Sequence, residues 1–278
     1  MIRSYRALEP TRLGLVLRWL WLTAAAVVCF FPFYAMVVLS LKPGVISLPG
    51  SLAPWGFSTS GYEQVLSGQN LLRWMLNTLI YSGVSVVAVL FISALAGYAF
   101  AKKRFPGKEP IFWSFLAMVM VPFHVTLIPM FIMIARLGGV NNYWGLILPT
   151  LANAQAVFLM RQFIQGLPDE LFEAARVDGA GEFRIFTRLV LPLCKPILAT
   201  LGTFIFLWHW NDFLWPLIVT KASAMWTLTV GIASLQGQKV PLNTMLAGSV
   251  VALAPIFLAY LFAQRYVQEG VVNVGIKG

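Results

Sequence analysis

This sequence predicts an all-α integral membrane protein: six transmembrane helices, with the N- and C-termini on the cytoplasmic side. Three observations carry that prediction: charged residues are scarce, six apolar segments have about the length of a bilayer crossing, and the basic residues between them are unevenly distributed. Only 11% of the residues are charged, 59% are hydrophobic, and the mean hydropathy is +0.79. A soluble domain is about a quarter charged, so 278 residues of this composition would expose large apolar patches to water. A bilayer removes that problem.

A transmembrane helix needs about 20 mostly apolar residues. The first qualifying segment is Leu13–Leu41. It is too long for the apolar region of a signal peptide, and no small-x-small cleavage site follows Ser40. Next come Leu72–Ala101 and Ile111–Ala135. The fourth, Trp144–Arg161, is the shortest and carries Asn153 and Gln155. It is retained because dropping it would put the two termini on opposite sides. Ile197–Thr220 and Met245–Phe262 complete the set.

Basic residues choose the orientation. With the N-terminus inside, the cytoplasm receives Arg3, Arg6, Arg12, Arg18, Lys102, Lys103, Arg104 and Lys108. It also receives Arg161, Arg176, Arg184, Arg188, Lys195, Arg265 and Lys277. The outer side keeps Lys42, Arg73, Arg136, Lys221 and Lys239. The net charge of +10 therefore reads as a topology signal rather than a nucleic-acid surface. Cys29 and Cys194 suggest neither a disulfide framework nor a zinc site. With His124 and His209 the only histidines, neither a metal site nor an enzymatic one is expected.

Two connections are long. The outer loop Lys42–Asn70 is rich in Pro, Gly and Ser and carries Trp55, Phe57 and Tyr62. The cytoplasmic connection Gln162–Pro196 reads as two short helices around a glycine joint. Pro168 suits a first helical position, and Asp169 and Glu170 fall in the first turn, at the positive end of the dipole. Phe172, Ala175 and Arg176 share a face, and Gly179 is placed to end the helix in a left-handed conformation. A second helix from about Glu182 puts Phe183, Phe186 and Val190 on one side and stops at Pro192. Such a loop could lie on lipid headgroups, but anionic lipid does not explain an acidic first turn. Docking into a partner's groove explains it.

Glu173-Ala174-Ala175, Gly179 six residues after the glutamate, then Leu189 and Leu191-Pro192, resemble the EAA loop of ABC importer permeases. That family usually has isoleucine where Leu189 stands. Ala174-Ala175-Arg176-Val177-Asp178-Gly179-Ala180 is similar to the carbohydrate-uptake branch, of the MalG and UgpE type. The resemblance covers nearly the whole chain. It includes Ser40-Leu41-Lys42-Pro43, Ala96-Gly97-Tyr98-Ala99-Phe100, Trp210-Asn211-Asp212-Phe213 and Gln264-Arg265-Tyr266.

The resemblance implies a multi-pass permease of the bacterial plasma membrane, embedded in lipid and paired with a second permease. It also implies two ATPase subunits and an extracytoplasmic substrate-binding lipoprotein. Pro168–Gly179 would be the coupling helix, with Asp169, Glu170, Phe172, Glu173, Ala174, Ala175, Arg176, Asp178, Gly179 and Ala180 meeting the ATPase. Glu173 would pair with a basic ATPase residue, and Gly179 would set the angle between the two loop helices. The tail, with Lys277 and Gly278, would reach the ATPase dimer. The chain contains no GxxxxGK[ST] sequence, so ATP and Mg belong to the partner subunits.

Candidate substrate-pathway residues are Trp208, His209, Trp210 and Asn211, which put aromatic faces beside polar groups as a sugar would need. Aromatic residues also collect at membrane interfaces, and Asp212 reads as structural, pairing with a neighbouring helix or capping a break before Pro216. The nearest alternatives are an importer of a glycerophosphodiester or another small solute, and an ion-coupled secondary transporter. The latter would need its own ion site and usually internal repeats, and neither is evident.

Overall fold

The computed structural model describes residues 12–43, 52–68, 70–238 and 240–275; beyond Leu261 it describes the course of the backbone alone. Arg3, Arg6, Lys239, Lys277 and Gly278, which entered the expectations above, lie outside the described residues, as does 44–51 of the first long loop. Every regular element among the described residues is helical.

α1 (Arg12–Ser40) is apolar on all sides, and its surface is exposed almost throughout, as suits a helix meant for lipid or for other chains. α2 (Ser60–Ser67) follows the first long loop. α3 (Leu71–Lys102) runs 32 residues without proline or break. Its small polar residues bond to their own backbone: Thr78 Oγ1 donates to the Trp74 carbonyl at 2.9 Å and Ser82 Oγ to that of Thr78 at 2.6 Å.

The expected third span, Ile111–Ala135, is two helices, α4 (Lys108–Ala117) and α5 (Phe123–Arg136), bent by 102°. Pro122 lacks an N–H and forces Val121 into an extended conformation (φ −81°, ψ 117°), so the helix cannot continue through it. The fourth is likewise broken. α6 (Tyr143–Ile147) and its 3₁₀ extension meet α7 (Ala154–Gln165) at 48°, with Asn153 capping α7 by accepting the Ala156 amide at 2.9 Å.

α8 (Asp169–Val177) and α9 (Glu182–Ile185) follow, then a π turn over Phe186–Val190 and α10 (Leu191–Leu193). α11 (Lys195–Asn211) leaves that segment at 76°. The expected fifth span ran on to Thr220, but α11 ends at Asn211 and a separate α12 covers Leu214–Val219. Asp212 makes the break. Its backbone is extended (ψ 129°), and its carboxylate accepts the Tyr81 hydroxyl at 2.8 Å. α13 (Leu228–Gly237) was not expected, and α14 (Leu242–Gly275) starts three residues before the expected sixth span. Among the described residues, three helices are long and apolar enough to cross a membrane, or up to six if each bent pair is one crossing.

The chain divides into two compact units. The first holds α1, α2 and α14 as far as Val250. Within it, Lys42 Nζ donates to the carbonyls of Ala53 (2.8 Å) and Trp55, and Asn243 Nδ2 to that of Lys42 at 2.9 Å. Ser40 Oγ and the Tyr62 hydroxyl are 2.8 Å apart. In the second unit α3 packs along α7 and α11. Contact with α7 is close at Gly97, where a Cβ would lie 2.7 Å from that of Met160.

Candidate functional site

The connection between α7 and α11 starts where α7 ends at Gly166 and Leu167. Pro168 is the N-cap of α8, one position before its expected place, and Asp169 and Glu170 occupy the first turn. One face of α8 is anchored. Phe172 is 2% exposed and stacks on Tyr98 of α3 with centroids 6.0 Å apart, and Ala175 packs into the same apolar cluster. The helix ends in a Schellman motif: the Gly179 amide donates to the Arg176 carbonyl and the Ala180 amide to that of Ala175, both at 3.0 Å. Gly179 has φ +74°, a conformation that costs a residue with a Cβ about 1–2 kcal/mol.

The other face is open. Glu170, Glu173, Ala174, Val177 and Asp178 are exposed, Val177 by 87%. Phe183, grouped by spacing with Phe186 and Val190, is 71% exposed, and Ile185 packs with Phe186 and Val190 in its stead. The π turn explains the exchange. Its wider winding departs from the 3.6-residue repeat on which the grouping of Phe183 with Phe186 and Val190 rests. The helix passes Pro192 by one residue before the chain bends at Cys194.

Four ionic residues that the sequence reading did not single out for this role latch the loop to the C-terminal end of α3. Lys102 Nζ donates to the Leu167 carbonyl at 2.7 Å and to Asp169 Oδ1 at 2.6 Å. Lys103 pairs with Glu182, which also accepts the Tyr98 hydroxyl at 2.7 Å and lies 3.7 Å from Arg176 Nε. The signal in the sequence is the Lys102-Lys103 pair closing an apolar span, which a topology reading alone already accounts for. Arg161 is buried, bonded to Glu109 at 2.7 Å and set 3.8 Å from the Phe112 ring centroid, and so ties α7 to α4.

The hydrogen bond and charge of Lys102 hold the Asp169 carboxyl below its ordinary value, and Lys103, followed by Tyr98, does the same for Glu182. A depressed native pKa means that the latch is at full strength above the ordinary carboxylate value of about 4 and is lost as pH falls through the lowered values. A spin label at Val177→Cys should therefore keep constant mobility from neutral pH down to about 4 and gain mobility below it. Mobility that rises near pH 6 instead would mean that these pairs do not hold the loop.

The candidate pathway residues divide. His209 and Trp210 are buried: His209 Nδ1 lies 2.7 Å from the Ile205 carbonyl oxygen, and Trp210 Nε1 donates to that of Ala252 at 3.3 Å. Trp208 and Asn211 are exposed, and Asn211 bonds back to the Leu207 carbonyl. The structure does not bring the four together around one cavity. A half-open groove of about 370 Å³ lies beyond them, lined by Phe213, Leu217, Thr220, Lys221, Trp226 and Ser234 among others.

An all-helical membrane chain with broken spans and a latched helix–glycine–helix loop is the architecture of a transport permease. Residues 89–273 match the family described as binding-protein-dependent transport system inner membrane component, and the chain belongs to that family. The arabinooligosaccharides transport system permease protein AraQ of Bacillus subtilis (strain 168) is 34% identical over the full length of both chains. The sn-glycerol-3-phosphate transport system permease protein UgpE of Rhizobium meliloti (strain 1021) is 33% identical, covering 91% of this chain and 94% of that one. Among solved structures, a bacterial ABC transporter involved in import of the acidic polysaccharide alginate superposes with TM-score 0.80 at 23% identity, covering 92% of this chain and 96% of that one. That likeness concerns the fold.

Proposed function

We propose that this chain is one of two permease subunits in an ATP-driven importer of a sugar or oligosaccharide, crossing the plasma membrane six times with both termini in the cytoplasm. The observation that carries the reading is the two-faced α8. Phe172 and Ala175 fix one side to the permease core, while Glu173, Val177 and the nearby Phe183 stand exposed on the connection that the basic residues assign to the cytoplasm. An exposed apolar and acidic surface of this kind suits a protein groove rather than water. α8 through Gly179 is then the coupling helix, docked on one of two ATPase subunits that bind ATP and Mg. Trp55 and Phe57, exposed on the first outer loop, are offered to a substrate-binding lipoprotein.

AraQ, similar over its full length, supports an oligosaccharide as the solute. UgpE relatives support sn-glycerol-3-phosphate as the second reading. The test is capture of the tagged chain from mild detergent, followed by reconstitution and uptake of a labelled arabino-oligosaccharide or of sn-glycerol-3-phosphate. Recovery of a second permease and an ATPase, with ATP-dependent uptake of the oligosaccharide, is the expected result. No ATPase in several mild detergents would overturn the importer reading, and uptake of the phosphate alone would overturn the sugar.

A further inference from the structure

α3 is gripped at both ends. Its 32 residues rise about 1.5 Å each, giving a rod of roughly 48 Å. The C-terminal end holds the 167–182 loop through Lys102, Lys103 and Tyr98, as described above. The N-terminal end holds a second stretch of backbone, between Ser223 and Leu228. Trp74 Nε1 donates to the Ser223 carbonyl at 2.9 Å, and Asn77 Nδ2 donates to those of Ala224 (2.9 Å) and Trp226 (2.8 Å). Thr78 Oγ1 accepts the Leu228 amide at 2.7 Å. All three side chains are buried, and the Tyr143 hydroxyl holds Asn77 Oδ1 at 2.6 Å, which fixes the orientation of the amide. These bonds go to main-chain atoms, so they set the path of the segment rather than the fit of its side chains.

The neighbouring bent pairs contain breaks at Val121-Pro122, at Ala152-Asn153 and at Cys194, where the helical hydrogen-bond ladder is interrupted. α3 has no such joint. We infer that α3 is a rigid strut carrying displacement of the 167–182 loop to the 222–228 segment, with Lys103 and Asn77 as positioning residues at its two ends. The inference rests on the reading of α8 as the ATPase-docking helix. Closure of the ATPase dimer pushes α8, the Lys103–Glu182 and Lys102–Asp169 pairs pass that push to α3, and the buried bonds of Asn77 move the far segment with it.

The test uses the whole complex captured through this chain and reconstituted with its binding protein. The readout is ATP hydrolysis with the loaded binding protein divided by hydrolysis without it. Lys103→Glu and Asn77→Leu should leave the captured ATPase unchanged while that ratio falls roughly tenfold toward one, in the range of a coupling between linked sites. Lys103→Arg should keep the ratio. A purely structural role would instead lower the yield of complex and leave the ratio of the survivors intact, which would overturn the inference. Loss of ATPase from the wild-type capture would sink the docking reading instead.

A second measurement needs neither variant. Spin labels at Val177→Cys and Ala222→Cys should keep one separation with and without vanadate-trapped nucleotide, while the Val177 label becomes immobilised. A change in that separation would show that α3 yields.

Discussion

Replacing Glu173 with arginine should strip the ATPase subunits from the captured complex while leaving the chain in the membrane. Glu173 is exposed on α8 and makes no hydrogen bond or ion pair among the described residues. The change should therefore alter the fold by no more than about 0.5 kcal/mol. Any large loss has to come from binding. Truncating one partner of a buried interfacial charge pair costs about 2–5 kcal/mol, and reversing its sign adds repulsion. Glu173→Ala should weaken capture less but still abolish transport.

Gly179→Pro attacks the same helix from its end. It demands a negative φ where the backbone has +74°, and it deletes the amide that donates to Arg176. Transport should be lost with the chain still inserted. Asp169→Ala provides the contrast, since Asp169, though exposed, is paired with Lys102, and its loss should loosen the latch before it touches docking. Uptake and co-capture measured side by side separate these cases. Normal uptake in both Glu173→Ala and Gly179→Pro would remove the coupling assignment.

The largest structural effect is expected at Gly145. A Cβ there would lie 2.0 Å from the Gly139 carbonyl oxygen and 2.7 Å from its carbon, and neither atom can rotate away as a side chain can. Overpacking usually costs about 1–3 kcal/mol, and an obstruction made of backbone belongs at the upper end or beyond. The displaced turn carries Asn141, held at φ +57°, whose amide donates to Val219 and whose Oδ1 accepts the Lys221 and Ala222 amides. Gly145→Ala should thus lower the melting temperature of the detergent-solubilised chain by several degrees. Gly83→Ala is the control: nothing stands within 4 Å of its added Cβ, so it should be neutral. Equal melting of the two variants would mean that the turn accommodates the methyl freely.

Much of the loop was legible because its signals are local. The acidic first turn of α8, the inward Phe172 and Ala175, and the left-handed Gly179 each follow from residues within about a turn of one another. Phe183 was misplaced because simple helical periodicity does not anticipate a π turn. Pro122 breaks the helix by its own ring, yet nothing near it encodes the 102° between α4 and α5. Asp212 stands at a break and pairs with a neighbouring helix, both legible as options in the sequence, but which residue it meets is not: its Tyr81 partner lies 131 residues away.

By itself the sequence determined that this chain belongs in a bilayer, where its apolar runs lie and which loop carries the glycine joint. Those properties depend on composition and on neighbours along the chain. Only the tertiary structure decided that Lys102 and Lys103 are also loop anchors, and that Asn77 holds a segment 147 to 149 residues away. A buried amide or ammonium takes whichever acceptor the packed helices bring within about 3 Å. That choice is made by where the helices cross, which no short stretch of sequence contains.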